Sequence, residues 1–120
     1  MKTSVLRDKS IAFAIRIAKL CQRIQTKHKE FVLTKQTVRS GTSIGANVHE
    51  GAYAQSKPDF IHKLSISLKE SVETEYWLFI LFKTGYIKDE EYDSLNADCN
   101  ELKAILIVSI KTARANLNKK

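Results

Sequence analysis

Glycine and proline are scarce in this chain, with four Gly and one Pro in 120 residues. A sandwich or barrel needs a turn signal every eight to twelve residues or so, and there are too few turn formers here for that. Long helices are left as the economical reading. No run of about 18 apolar residues occurs, so no membrane-spanning helix is expected. Cysteine is also sparse. Cys21 and Cys99 have no CxxC or metal-type spacing around them, and are expected to be reduced core residues, with a cross-helix disulfide as the lesser alternative. His28, His49 and His62 have no ligand-type partner one helical turn away, so no metal site is expected. Neither GxxxxGK[ST] nor GxGxxG is present, so no nucleotide cofactor is expected. Met1 to Asp8 is polar and Arg16 and Lys19 break the apolar positions that follow. The chain therefore shows no leader pattern, and a cytoplasmic location is the default.

What is present is an apolar fraction of 43% and a net charge of +7, unevenly spread. Residues 1–39 carry a balance of +8, residues 40–110 of −5 and residues 111–120 of +4. Basic ends around an acidic middle invite a polyanionic partner, and equally allow opposite faces of two copies to meet. At this length one domain, residues 1–120, with a real hydrophobic core is expected.

The chain is organised around Gln36 to Gly51, QTVRSGTSIGANVHEG. On a helix Gln36, Arg39, Ser43, Asn47 and Glu50 share a side within roughly 80°. Val38, Gly41, Ile44, Gly45, Val48 and Ala52 line the opposite side. Each of the three glycines costs helix propensity, about 1 kcal/mol against Ala, which points to close approach of a neighbouring helix.

Around this stretch the periodicity predicts four helices. The first runs from Ser4 to about Lys27. Its apolar arc of Ile11, Phe13, Ala14, Ile15, Ile17, Ala18, Leu20, Cys21 and Ile24 is wider than one bundle buries. Thr34 is expected to cap the second helix, with Leu33 and Val38 as a hydrophobic staple, and the helix to end near Gln55. Ser56-Lys57-Pro58-Asp59 marks the next start as a capping-box variant with Pro in the first turn. The third helix carries Phe60, Leu64, Leu68, Ser71, Glu75, Leu78 and Phe82 on one seam and stops near Thr84, before Gly85. The fourth begins around Lys88–Glu90 and carries Tyr92, Leu95, Cys99, Leu102, Leu106, Ser109 and Ala113. Its run Ala104 to Ile110, AILIVSI, is apolar nearly all round. The fold class expected is all-α, an antiparallel up-down-up-down four-helix bundle.

The residues Gln36, Arg39, Ser40, Ser43, Ile44, Asn47, Glu50 and Gly51, then Phe60, Leu64, Ile66, the segment KESVETEYWL from Lys69 to Leu78, Thr84-Gly85-Tyr86-Ile87 and Tyr92, resemble a known family. It is the four-helix-bundle proteins first noticed as reading frames in intervening sequences of bacterial 23S rRNA genes, the S23-like proteins. The likeness spans roughly residues 10–115. It implies a left-handed bundle assembling into a ring, typically a homopentamer. The likeness extends to the accessory protein of diversity-generating retroelements, a basic pentamer that associates with a reverse transcriptase and nucleic acid. For most of the family no activity is established. The family pattern often has Ala where Ser67 stands, a change expected to alter local packing alone.

Two groups of residues are candidates for a role. Arg39, Ser43, Asn47, Glu50, Glu70 and Glu73 read as a buried polar network that holds helices two and three in register, since paired guanidinium and carboxylate groups fix geometry more than they stabilise. No nucleophile with a base completes a catalytic set there, so no enzyme is expected. Lys9, Arg16, Lys19, Arg23 and Lys27 form a basic edge on helix one. With Lys35, Lys111, Arg114, Lys119 and Lys120 they are candidates for binding RNA or DNA through phosphates, without base selection. The plain alternative is a solvated face. Tyr76 and Trp77 are expected to be core or interface anchors. The function expected is a non-enzymatic oligomeric bundle that binds nucleic acid through its basic surface. The alternative is a scaffold that docks a protein partner and has no nucleic-acid role.

Overall fold

The structure, a computed structural model, describes residues 2–117. It is built of four helices: α1 Lys2–His28, α2 Val32–Gly51, α3 Lys57–Lys83 and α4 Asp89–Leu117. No described residue lies in a strand. Each helix packs against its neighbours in sequence, and α4 returns to α1 through the thinnest seam of the four. Pairs across the seams run antiparallel: Ile17 meets Gly41, the Ser67 hydroxyl meets the Ile44 carbonyl, and Arg16 meets Asp98.

The core follows from 3,4-spaced apolar positions on every helix. Leu6, Phe13, Ile17, Leu20 and Ile24 of α1 face Ile44 and Val48 of α2, Leu64, Leu78 and Leu81 of α3, and Leu95, Leu102 and Leu106 of α4, all nearly fully buried. Each such side chain contributes roughly 1.5–3 kcal/mol by leaving water. The excess apolar surface of α1 and α4 is real, because Ile11, Ile15, Ile107 and Val108 stay outside this core. Cys21 and Cys99 are both free and buried.

The seams of α2 differ in chemistry. Toward α1 it presents Gly41 and Gly45. A Cβ on Gly41 would sit 2.8 Å from Ile17 Cγ2, and one on Gly45 would sit 3.3 Å from Ser10 Oγ. Gly51 is not crowded, since its nearest neighbour would be 3.5 Å away. Toward α3 the seam is made of small hydroxyls. Thr74 Oγ1 lies 2.7 Å from the Glu70 carbonyl and 3.0 Å from Ser40 Oγ. Ser67 donates to the Ile44 carbonyl at 2.8 Å, so this residue ties α3 to α2 rather than merely adjusting packing. Fully buried Thr34 and Thr37 return their hydroxyl protons to carbonyls one turn back, a local way to satisfy a polar group inside a helix.

Two expected boundaries are corrected. Thr34 does not cap α2. The helix starts two residues earlier, and the Glu30 carboxylate caps it by accepting from the N–H groups of Val32, Leu33 and Thr34 at 2.8–3.0 Å. A reaching carboxylate takes over because Phe31, at the cap position, has no side-chain acceptor. Leu33 and Val38 therefore pack on the core from inside the helix and do not form a staple. α2 also ends at Gly51, not near Gln55, and Ala52 is exposed beyond it. Ser56 caps α3 as expected, accepting from Asp59 N–H at 3.2 Å. Gly85, at φ +87°, ends α3: its N–H reaches the Phe82 carbonyl and Tyr86 N–H reaches the Leu81 carbonyl, the Schellman pairing.

Candidate nucleic-acid interface

The basic edge of α1 repeats every seven residues at Lys9, Arg16 and Arg23. The facing edge of α4 carries Glu101, Asp98 and Glu91. Antiparallel packing brings the two edges together. Lys9 meets Glu101 at 3.1 Å, Arg16 meets Asp98 at 2.7 Å, and Arg23 holds both oxygens of Glu91 at 2.9 and 2.5 Å. The hydrogen bond to Glu91 holds the Arg23 guanidinium even further above its ordinary range. Three of the five α1 candidates thus already have carboxylate partners. The seven-residue step from Glu91 to Asp98, matching that of the cations, was the sequence signal for this zipper.

The other candidates divide between the ends of the molecule, whose long dimension is 55 Å. Lys27 and Lys35 lie at the end where α1 passes to α2, and Lys19 lies outward on α1. Lys111 and Arg114 stand on the last turns of α4 at the opposite end, and Lys119 and Lys120 fall outside the described residues. Lys19, Lys27, Lys35, Lys111 and Arg114 are exposed, and none has a carboxylate within salt-bridge distance among the described residues. Beside Lys27, a groove of about 360 Å³ is lined by Arg23, His28, Tyr86, Lys88, Glu90 and Glu91. Lys88 and His28 were not singled out from sequence.

The polar network is only partly assembled, and it is not buried. Arg39 contacts both Glu70 and Glu73, which joins α2 to α3, but the Arg39 side chain is 46% exposed. Trp77 Nε1 donates to the same Glu73 at 2.9 Å. Ser43 and Asn47 bond to carbonyls of their own helix, those of Arg39 and Ser43. Glu50 pairs with Lys63 at 2.9 Å, and that hydrogen bond raises the lysine above its ordinary range. The buried partners across this seam are the hydroxyls of Ser40, Ser67 and Thr74, one step round the helix from the charged stripe. The charged groups lie on the rim because long side chains can span it while their heads stay in water.

Desolvation dominates the remaining titration behaviour. Burial, aided by Glu30, pushes the Cys21 thiol up to about 12, and burial, aided by Glu75, does the same for Cys99. Neither thiol is poised to act as a nucleophile. Burial also pushes the Glu30 carboxyl up, but the N–H donors of Leu33, Thr34 and Val32 outweigh it and leave the group below its ordinary range. His28 packs edge-on to Tyr86 and His49 edge-on to Tyr53. No cluster of three metal-ligand side chains occurs among the described residues, and no described helix is long and apolar enough to cross a membrane.

A crystal structure of a protein of unknown function from the S23 ribosomal protein family of Bacteroides thetaiotaomicron VPI-5482 superposes with a TM-score of 0.91. The two are 53% identical, over 92% of this chain and 99% of that one. No curated protein matches. Residues 2–108 match the family described as 23S rRNA-intervening sequence protein. Nearly the whole bundle is covered by that match, and the chain belongs to the 23S rRNA-intervening sequence protein family.

Proposed function

We propose that this protein is a non-enzymatic, self-associating four-helix module that binds the phosphate backbone of RNA or DNA without reading bases. The observation that carries the reading is the set of unpaired cations, Lys19, Lys27, Lys35, Lys111 and Arg114, on a chain of net charge +7. One copy offers few phosphate contacts. A ring of identical copies, five by family likeness, repeats each cation and multiplies the local field. The half-exposed apolar side chains of α1, α3 and α4 support self-association.

The ion-paired edge of α1 favours a second reading, a scaffold that docks a protein partner. In that case the remaining lysines form a solvated face.

A titration of the purified assembly with labelled single-stranded RNA and duplex DNA, at about 50 mM and about 200 mM salt, separates the two, because each neutralised duplex phosphate steepens the log–log salt slope by about 0.9. Micromolar or tighter binding that weakens steeply with salt is expected. Absence of binding at the lower salt would refute the nucleic-acid role and leave the scaffold.

A further inference from the structure

Because α1 packs on α2 and α4 but not on α3, and α2 packs on α1 and α3 but not on α4, the bundle has four flanks. The α1/α2 flank lies opposite the α3/α4 flank. The other two opposite flanks are dressed in ions: Lys9, Arg16 and Arg23 with α4 acids on one, and Arg39 and Lys63 with α2 and α3 acids on the other.

The α1/α2 flank carries no ion pair among the described residues. At 100° per residue, Ile11 and Ile15 lie roughly 100–160° round α1 from the ion-paired edge and are turned toward α2. They are 44% and 51% exposed. Their neighbours on this flank are small, Ala14 and Ala18 on α1 and Thr42 and Gly45 on α2, so the surface is flat and aliphatic. The α3/α4 flank is ridged and aromatic. Val72, Tyr76 and Phe79 follow one another at four and three residues and are 50%, 56% and 44% exposed. Phe79 leans on Tyr92 of α4, which stacks on Phe82 at 4.4 Å between centroids. One ion pair, Glu75–Lys103, lies on this flank.

We infer that the α1/α2 flank of one copy binds the α3/α4 flank of the next, head to tail. The inference rests on the self-association proposed above and names its two surfaces. A flank about 55 Å long and 20 Å wide offers about 1,100 Å², enough for the roughly 800 Å² per partner of a stable interface. A two-fold contact joins like to like, so one such contact would leave the second apolar flank bare on every copy. A single head-to-tail contact covers both flanks on all copies but those at an open end, and on every copy once a ring closes. The charges at the margins agree in sign. Asp8 sits one turn before Ile11 on its stripe, and Lys69 and Lys83 bracket the Val72–Tyr76–Phe79 stripe.

The test uses two single variants of the full chain, Ile15→Glu and Phe79→Glu, with mass in solution as the readout. Each residue is half-exposed, so the fold is expected to survive, checked by far-ultraviolet circular dichroism. Ile11→Glu and Tyr76→Glu serve as a second pair should either of the first misfold. In a head-to-tail assembly every contact includes one damaged flank, so each variant alone is a monomer. Mixed in equal amounts, the intact α3/α4 flank of one meets the intact α1/α2 flank of the other, and the mass doubles to a heterodimer and goes no further. A variant that alone remains a dimer would refute the pairing, because it would be joining like flanks. A mixture that stays monomeric would refute it too. A wild-type chain that is itself monomeric would overturn the self-association beneath it, while assembly without nucleic-acid binding would overturn only the phosphate role.

Discussion

Replacing Gly41 with alanine sets two effects against each other, and the structure decides the sign. In a helix interior alanine gains about 1 kcal/mol over glycine from propensity. At Gly41 the new Cβ would meet Ile17 at 2.8, 3.1 and 3.2 Å, and Ile17 is fully buried, so its branched carbons cannot swing aside. Overpacking of that kind costs typically about 1–3 kcal/mol. Gly41→Ala should therefore be net destabilising by about 1 kcal/mol, a fall in melting temperature on the order of 4 °C for a chain of this size. Gly45→Ala should fall near neutral, because its closest clash is at 3.3 Å with a serine hydroxyl that can turn. Gly51→Ala meets only ordinary contacts at 3.5 Å and beyond, and should lose nothing. Urea unfolding of the three variants, with equal slopes, measures the series. If Gly41→Ala proved as stable as Gly51→Ala, the close approach of α1 and α2 would not be the reason for glycine at that position.

Four further outcomes follow from local geometry. Glu30→Ala removes the acceptor for three N–H groups and should cost about 1 kcal/mol at neutral pH. Because the folded carboxyl titrates below its ordinary 4.5, this stabilisation is present above that value and fades as pH falls through the folded pKa, so the two urea curves should converge in acid. Lys29 sits at φ 55° as the left-handed end of α1, and Lys29→Gly should stabilise by about 0.5–1 kcal/mol in the same assay. The thiols move the other way with pH: raised from 9.0 to about 12 on folding, each gives a stability that is full below pH 9 and lost as pH rises toward 12. The wild type should weaken over that window more steeply than a Cys21→Ala/Cys99→Ala variant, and alkylation of either thiol should track unfolding. Deleting an ion pair whole, as Arg16→Gln/Asp98→Asn, should cost under about 1 kcal/mol and leave the salt slope of nucleic-acid binding unchanged. Lys111→Gln/Arg114→Gln should flatten that slope by about 1 for each charge removed.

Periodicity made the four helices legible because each buries a stripe repeated every three to four residues over at least five turns. Gly85 and Ser56 were legible because their roles are local: a left-handed residue and a hydroxyl three residues ahead of an N–H. The start of α2 was not legible. Thr34 has the right chemistry for a cap, but Glu30 lies within reach of the same donors, and which acceptor wins depends on the path of the chain between two helices. The polar stripe Gln36–Glu50 was found but placed too deep. Ser40, one residue beyond Arg39, takes the seam instead. Small hydroxyls can be buried after bonding to their own helix, whereas a guanidinium and two carboxylates would lose too much hydration. Tyr76 was expected to serve as an anchor and lies half in water; Trp77, its neighbour, turns toward Glu73.

The charge pattern changes meaning once the helices are paired. Read along the sequence, a balance of +8 in residues 1–39 suggests a surface free to meet a polyanion. Antiparallel packing places much of that charge beside the acids of residues 91–101, and the two runs neutralise each other along the α1/α4 flank. That seam has the thinnest packing of the four, so the ion pairs run where apolar contact is least. Half-exposed pairs of this kind are worth little each, but they fix the direction and register of α4 against α1, because a shift of one turn would set Arg16 and Arg23 against the wrong partners. Charge that sets register cannot at the same time be the strongest nucleic-acid surface. A nucleic-acid role must therefore be sought at the two ends of the bundle, where Lys27 and Lys35 on one side and Lys111 and Arg114 on the other remain unmatched.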